Sequence, residues 1–215
     1  WERTRRLDFS VEGLRGTDLR GKTLGIVGVG SIGQHVARIA NGFEMNVIAF
    51  DVFKNKKLEK ELNFKYVNFG MLLKNSDIIS LHCPCNKRTY HMINMGNIKK
   101  IKKGALIINT ARGALIETDA LVYALDKKIL SGAGLDVLED ECFIKEDAQV
   151  MSKNFPKKCD IRIIFEDHIL AKKENVIVTP HNAFNSVEAL QRILDTTIEN
   201  IKGFLKNKII NRVTY

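Results

Sequence analysis

No feature of this 215-residue chain constrains its fold more than Gly28-Val29-Gly30-Ser31-Ile32-Gly33. This GxGxxG run closes a near-continuous apolar stretch, Thr23–Val29 (TLGIVGV), and opens a segment in which Ile32, Val36, Ile39, Ala40 and Phe43 recur at helical spacing. The context therefore reads strand, tight turn, helix. Each glycine has a physical task in that setting. Gly28 permits the turn, Gly30 lets a pyrophosphate approach the backbone, and Gly33 lets helix and strand pack closely. The free N–H groups at Ser31, Ile32 and Gly33 and the positive end of the helix dipole suit phosphate. Asp51 follows 18 residues after Gly33, at the end of NVIAFD, where a carboxylate can accept the adenosine ribose hydroxyls. That carboxylate repels a 2′-phosphate, so NAD is expected over NADP. Lys54, Lys56 and Lys57 nearby temper the preference.

The rhythm continues along the chain. Asn46–Phe50, Asp77–Leu81, Ala105–Asn109, Gly132–Asp136 and Val176–Thr179 read as further strands, giving six in all, with helices near Phe69–Lys74 and Thr118–Lys127. Strands alternating with helices predict an α/β fold with a parallel sheet covered on both faces. The stretch Glu139–Asn175 is long and charged but carries its own apolar residues, and reads as an ordered excursion. Leu190, Ile193, Leu194, Ile198, Ile201, Phe204 and Leu205 line one face of a long amphipathic helix that needs something to pack on. At 45% apolar and 27% charged residues the chain can bury a core without staples. No apolar run approaches the roughly 20 residues of a membrane helix. The start, Trp1-Glu2-Arg3-Thr4-Arg5-Arg6, is no secretory leader. Cys83, Cys85, Cys142 and Cys159 lack CxxC spacing, which argues against zinc and a disulfide framework and for reduced thiols in a cytoplasmic protein. The net charge of +9 sits in short clusters without interleaved aromatics, so solvated faces are expected, with neither nucleic acid nor membrane as partner.

Three strand ends carry side chains suited to chemistry, because ligands of open parallel sheets sit beyond the carboxyl ends of strands. Arg112, in Asn109-Thr110-Ala111-Arg112-Gly113, offers a planar fork for a carboxylate. His181, in Thr179-Pro180-His181-Asn182-Ala183, can give or take a proton near neutral pH. Asp136 ends the fifth strand, and Glu141, five residues on, can orient a histidine on the neighbouring strand end. Taken singly, each has a bland reading: a surface arginine, a capping histidine, a solvated acid in an acidic run. His35, His82, His91 and His168 read as structural, although His82 lies at a strand end near the cofactor.

Together these pieces resemble the NAD-binding domain of the D-isomer-specific 2-hydroxyacid dehydrogenases, D-lactate dehydrogenases included. The matching stretches are LRGKTLGIVGVGSIGQHVARIANGFEMNVIAFD, SDIISLHCPCNKRTYHMIN, KKGALIINTARGALIETDAL, SGAGLDVLEDE and NVIVTPHNAF, spanning Leu19 to about Phe184. The resemblance implies a Rossmann-type doubly wound parallel sheet, with the family's flavodoxin-like substrate domain largely missing from this chain. It implies that Arg112 holds the substrate carboxylate and polarises the keto group, that His181 is the proton donor in reduction, and that Glu141 hydrogen-bonds His181 and raises its pKa. Asp136 would touch the nicotinamide carboxamide, and Cys83, Pro84, Thr110 and Ala111 would line the cofactor cleft. Cys85-Asn86 departs from the family's usual Leu-Thr, and Cys142 stands where proline often follows the glutamate. The length of the excursion favours a small 2-keto acid such as pyruvate. The implied organisation is a linker or dimerisation segment at 1–18, a cofactor domain at 19–185 and a helix and tail at 186–215. A homodimer is expected, as is NAD binding with poor turnover by this chain alone. A non-enzymatic, NAD-responsive corepressor-like protein of the same fold is the alternative.

Overall fold

The computed structural model describes residues 2–13, 15–139 and 161–212. Seven parallel strands form one sheet: β1 Thr23–Val27, β2 Asn46–Phe50, β3 Lys65–Tyr66, β4 Ile78–Leu81, β5 Ala105–Asn109, β6 Leu130–Leu135 and β7 Val176–Val178. Their order is β3-β2-β1-β4-β5-β6-β7. The chain reverses its direction of travel between β1 and β4, and a crevice opens there beyond the carboxyl ends of the strands. The helices are α1 Glu2–Arg5, α2 Ser31–Gly42, α3 Lys56–Glu61, α4 Phe69–Asn75, α5 Thr118–Asp126, α6 Ile161–Lys172 and α7 Val187–Leu205.

The two-residue period of β1 explains how both faces are covered. Leu24 and Ile26 join Val47 and Ala49 of β2 and Ala37 and Ala40 of α2 in one core. Val27 belongs to the other core with Leu72 and Leu73 of α4, Ile79 and Leu81 of β4, and Ile107 of β5. Gly25 lies on that second face, where an added Cβ would stand 2.1 Å from the Ser76 hydroxyl and 2.9 Å from Leu72. Parallel strands buried on both sides read as continuous apolar runs, as seen in the sequence.

The expected strand Thr23–Val29 ends two residues early, because Gly28 turns to φ +93°. The six expected strands become seven with β3, a two-residue edge strand after the charged helix α3. The long connection after β6 contains α6. Its residues 140–160, with Glu141, Cys142 and Cys159, lie outside the described residues. Helix α7 keeps Leu190, Ile193, Leu194, Ile198, Ile201, Phe204 and Leu205 exposed. Among the described residues no helix is long and apolar enough to cross a membrane.

Candidate functional site

The glycine-rich turn is built around contacts that exclude side chains. A Cβ on Gly28 would meet the backbone of His82 and Cys83 at 2.8–2.9 Å, and one on Gly33 would stand 2.1 Å from the Gly28 carbonyl oxygen. Gly30 faces open space and is the N-cap of α2, with no side chain capping the helix. The first N–H groups of α2 at Ser31, Ile32 and Gly33 therefore stay available to an anion. Asp51 follows β2, and its carboxylate accepts the Val29 N–H at 2.7 Å and the Phe53 N–H at 2.9 Å. It thus braces the glycine-rich turn from the neighbouring strand. A carboxylate offers about four acceptor sites, so Asp51 retains capacity for ribose hydroxyls. An uncapped helix start, an open glycine and a strand-end acid together fit a dinucleotide.

Two hollows flank this turn. One of about 370 Å³ is lined by Gly28, Gly30, Phe50, Asp51, Val52 and Phe53, with His82, Cys83 and Pro84 as its far wall. The other, about 540 Å³, is lined by Ile32, Thr110, Ala111, Arg112 and Cys85, and shares His82, Cys83 and Pro84. The expected cleft residues Cys83, Pro84, Thr110 and Ala111 are thus brought together, and Ile32 and Cys85 join them. His82 stands between the hollows with its Nε2 2.8 Å from the Ser80 hydroxyl. Burial pushes its imidazole below the ordinary histidine value, so it is neutral at pH 7. Burial also pushes the Cys83 thiol up to about 11. Its Sγ lies 3.6 Å from the Met92 sulfur.

Arg112 follows β5 and is exposed, with Nη1 donating to the Ala111 carbonyl at 2.6 Å. Its loop is tied by Asn109, only 1% exposed. The Asn109 side chain accepts the Ala111 N–H at 3.0 Å and donates to the Arg112 carbonyl at 2.9 Å. The sequence reading passes over Asn109 as the last residue of a strand, although a buried amide at a strand end must find such partners. Gly113 then lies against the Leu138–Glu139 backbone, where a Cβ would stand 1.9 Å from the Leu138 carbonyl oxygen.

His181 follows β7 in a left-handed conformation, φ +50°, that is costly for a side chain. Asp136, buried at the end of β6, holds both flanks of this turn. Its Oδ1 accepts the Thr179 hydroxyl at 2.5 Å and the Asn182 N–H at 3.0 Å, and its Oδ2 accepts the Ala183 N–H at 2.9 Å. Burial alone would raise its pKa, but these donors, aided by His181, win and hold it below the ordinary carboxyl range. Arg112, Asp136 and His181 thus belong to three successive strand ends on one edge of the sheet. Glu141 lies outside the described residues.

A cluster absent from the expectations adjoins this edge. Glu139 accepts from His91 Nε2, and its other oxygen accepts the Thr118 N–H at 3.1 Å and the Thr118 hydroxyl at 2.7 Å. The partner of His91 lies 48 residues away in the sequence.

Residues 1–183 match the family described as D-isomer specific 2-hydroxyacid dehydrogenase, NAD binding domain. A 2-hydroxyacid dehydrogenase homolog of Haemophilus influenzae is 37% identical over 99% of this chain and 62% of its own length. Among solved structures, the pyruvate reductase of Chlamydomonas reinhardtii aligns with a TM-score of 0.85 at 37% identity, over 98% of this chain and 62% of that one. The D-lactate dehydrogenase of Aquifex aeolicus, solved with NAD and lactic acid, aligns with a TM-score of 0.82 at 39% identity, over 96% of this chain and 60% of that one. The chain therefore spans about 60% of the length of these relatives.

Proposed function

From the premise that the chain belongs to the D-isomer-specific 2-hydroxyacid dehydrogenase family, as its NAD-binding domain, we propose that it serves hydride transfer between NAD and a small D-2-hydroxy acid or 2-keto acid. D-lactate and pyruvate are the substrate pair we favour, in keeping with the pyruvate reductase and D-lactate dehydrogenase that it resembles. The observation that carries the reading is the placement of Arg112, Asp136 and His181 just beyond the carboxyl ends of three neighbouring strands, on the same side of the sheet as the glycine-rich turn, with Arg112 and Ile32 lining one hollow. A corepressor-like protein of the same fold has no use for that set, and the enzymatic reading is preferred.

The residues divide the work by their chemistry. The N–H groups of Ser31, Ile32 and Gly33 would hold the pyrophosphate, Asp51 the ribose hydroxyls, and the walls from Cys83 to Pro84 and Thr110 to Ala111 the rest of the cofactor. When bound, NAD supplies the hydride acceptor or donor at its nicotinamide ring. Arg112 binds the substrate carboxylate through two parallel N–H···O bonds and orients the keto group. His181 donates a proton to the keto oxygen in reduction and takes it back in oxidation. Glu141 would hydrogen-bond the imidazole and favour its charged form. Asp136 keeps the His181 turn in place with three of its acceptor sites, leaving about one for a carboxamide N–H. The reading includes a homodimer formed through the cofactor domain, supported by the exposed apolar side chains of Leu7, Phe9 and Val11.

The test is NADH oxidation with pyruvate by the polypeptide in its natural full length. His181→Ala should lower kcat at least ~10²-fold, as for a general acid. Arg112→Ala should raise KM for pyruvate far more than KM for NADH. A His181→Ala variant with undiminished rate would refute the assignment.

A further inference from the structure

The Arg112 side chain is exposed, yet the backbone on both sides of it is fixed. Asn109 ties the Ala111 N–H and the Arg112 carbonyl. The turn of 3₁₀ helix that follows, Gly113–Leu115, is held from two sides. On one side the Ala114 carbonyl accepts the His91 N–H at 2.8 Å, and the Leu115 carbonyl accepts the Ile93 N–H at 3.1 Å. The Glu117 N–H completes this seam on the Ile93 carbonyl at 2.9 Å. On the other side Gly113 lies so close to the Leu138–Glu139 backbone that no side chain fits there.

His91 and Glu139 lock these two flanks to each other. His91 Nε2 donates to the Glu139 carboxylate, whose other oxygen accepts the Thr118 N–H and hydroxyl. The Glu139 side chain is only 6% exposed, so its carboxylate depends on these donors. It also serves α5: the helix N-cap, Glu117, makes no capping bond with its own side chain, and Glu139 meets the Thr118 N–H instead. A negative charge at a helix start is stabilised by the unpaired N–H groups and the dipole. His91 keeps its place at a cost. Its φ is +47°, and its ring stacks on that of Tyr90 with centroids 3.9 Å apart. Such a conformation persists only where the surroundings over-determine it. Neither His91 nor Glu139 lines the two hollows beside the glycine-rich turn.

We propose that the His91–Glu139 pair is a positioning clamp that sets the Arg112 guanidinium for the substrate carboxylate. It joins three pieces of chain: the segment that starts with the cofactor walls at 82–85, the Arg112 loop, and the end of β6, where Asp136 holds the His181 turn. Two parallel hydrogen bonds form only within a narrow range of angle and distance. A loop displaced by about 1 Å can therefore lose up to ~10²-fold in rate or affinity. The clamp bears on the substrate and not on NAD. The anion site at the start of α2 and the Asp51 carboxylate are held by other contacts, Gly28 against His82 and Cys83 and Asp51 on Val29 and Phe53. This role rests on Arg112 being the carboxylate ligand, as proposed from the strand-end geometry.

The test separates substrate from cofactor in the natural full-length polypeptide, with KM for pyruvate from initial rates and Kd for NADH from fluorescence titration. His91→Asn suits the left-handed backbone but is too short to reach Glu139. It should raise KM for pyruvate about tenfold and leave Kd for NADH unchanged. His91→Gln, whose amide nitrogen can stand in for Nε2, should keep KM within about twofold of the parent. Glu139→Ala should behave as His91→Asn does. In an Arg112→Ala background, His91→Asn should raise KM no further, because no guanidinium is left to misplace. If Arg112→Ala alone leaves KM for pyruvate unmoved, the assignment of Arg112 fails and the clamp falls with it. If Arg112→Ala raises KM and His91→Asn does not, the clamp is overturned while that assignment stands. An equal rise from His91→Asn in both backgrounds, an equal loss of NADH affinity, or no rescue by His91→Gln would also overturn it. Should Glu139→Ala not fold, the His91 pair decides.

Discussion

Asp136 shows how much a single carboxylate can organise. Its three donors come from one turn, and that turn holds His181 in a conformation it would otherwise avoid. Asp136→Asn replaces one acceptor oxygen by an NH2 group facing N–H donors, leaving buried donors unsatisfied. Such a change costs about 1–3 kcal/mol, and urea unfolding should show the chain destabilised by that amount. The pH dependence has a definite sign. The carboxyl of Asp136 titrates below its ordinary value of 3.8. Its contribution to stability is therefore complete above that value and is lost as pH falls through the depressed one. Cys83 gives a second prediction. With its thiol pushed up to about 11, it should resist iodoacetamide at pH 7.5 in the folded chain and react only on unfolding, as peptide mapping would show. The positions of Arg112, Asp136 and His181 just beyond strand ends were legible in the sequence because each follows an apolar run within three residues. The partnership of His91 with Glu139 was not, because nothing local relates residues 48 apart.

At the scale of elements, the glycine-rich turn was readable and its boundaries less so. Gly28 ends β1 early by adopting a positive φ, a choice that sequence leaves open until the close approach of His82 and Cys83 is known. Gly33→Ala should lower NAD affinity at least tenfold by calorimetry, because its Cβ would collide with the Gly28 carbonyl oxygen at 2.1 Å and open the turn. Gly42→Ala is the matched control in the same helix: its Cβ meets nothing within 4 Å. That change should leave affinity intact and stabilise the helix by about 0.5–1 kcal/mol. The elements missing from the sequence reading have physical reasons for being missed. Helix α3, KKLEKE, buries no residue and so has no apolar stripe, and β3 is two residues long. Helix α5 lacks a local cap because its cap comes from Glu139, beyond the reach of any window along the chain.

For the whole molecule, the order of seven parallel strands gathers the glycine-rich turn, the Arg112 loop and the His181 turn on one edge. Alternating strands and helices made that sheet foreseeable, since only a sheet covered on both faces satisfies so many short apolar runs. What lay beyond sequence was the bracing across the edge: Asp51 to Val29, Asn109 across the Arg112 loop, Asp136 to the His181 turn, and Glu139 to α5. Each brace is a buried or half-buried polar side chain whose partner is set by the fold. The central claim concerns what that edge does. It is tested most directly by incubating the natural full-length polypeptide with NADH deuterated at the nicotinamide C4 and with pyruvate, then analysing the lactate. The account predicts deuterium at C2 of D-lactate, with the yield falling at least ~10²-fold in His181→Ala. Unlabelled lactate, the L-isomer, or equal yield from His181→Ala would contradict it.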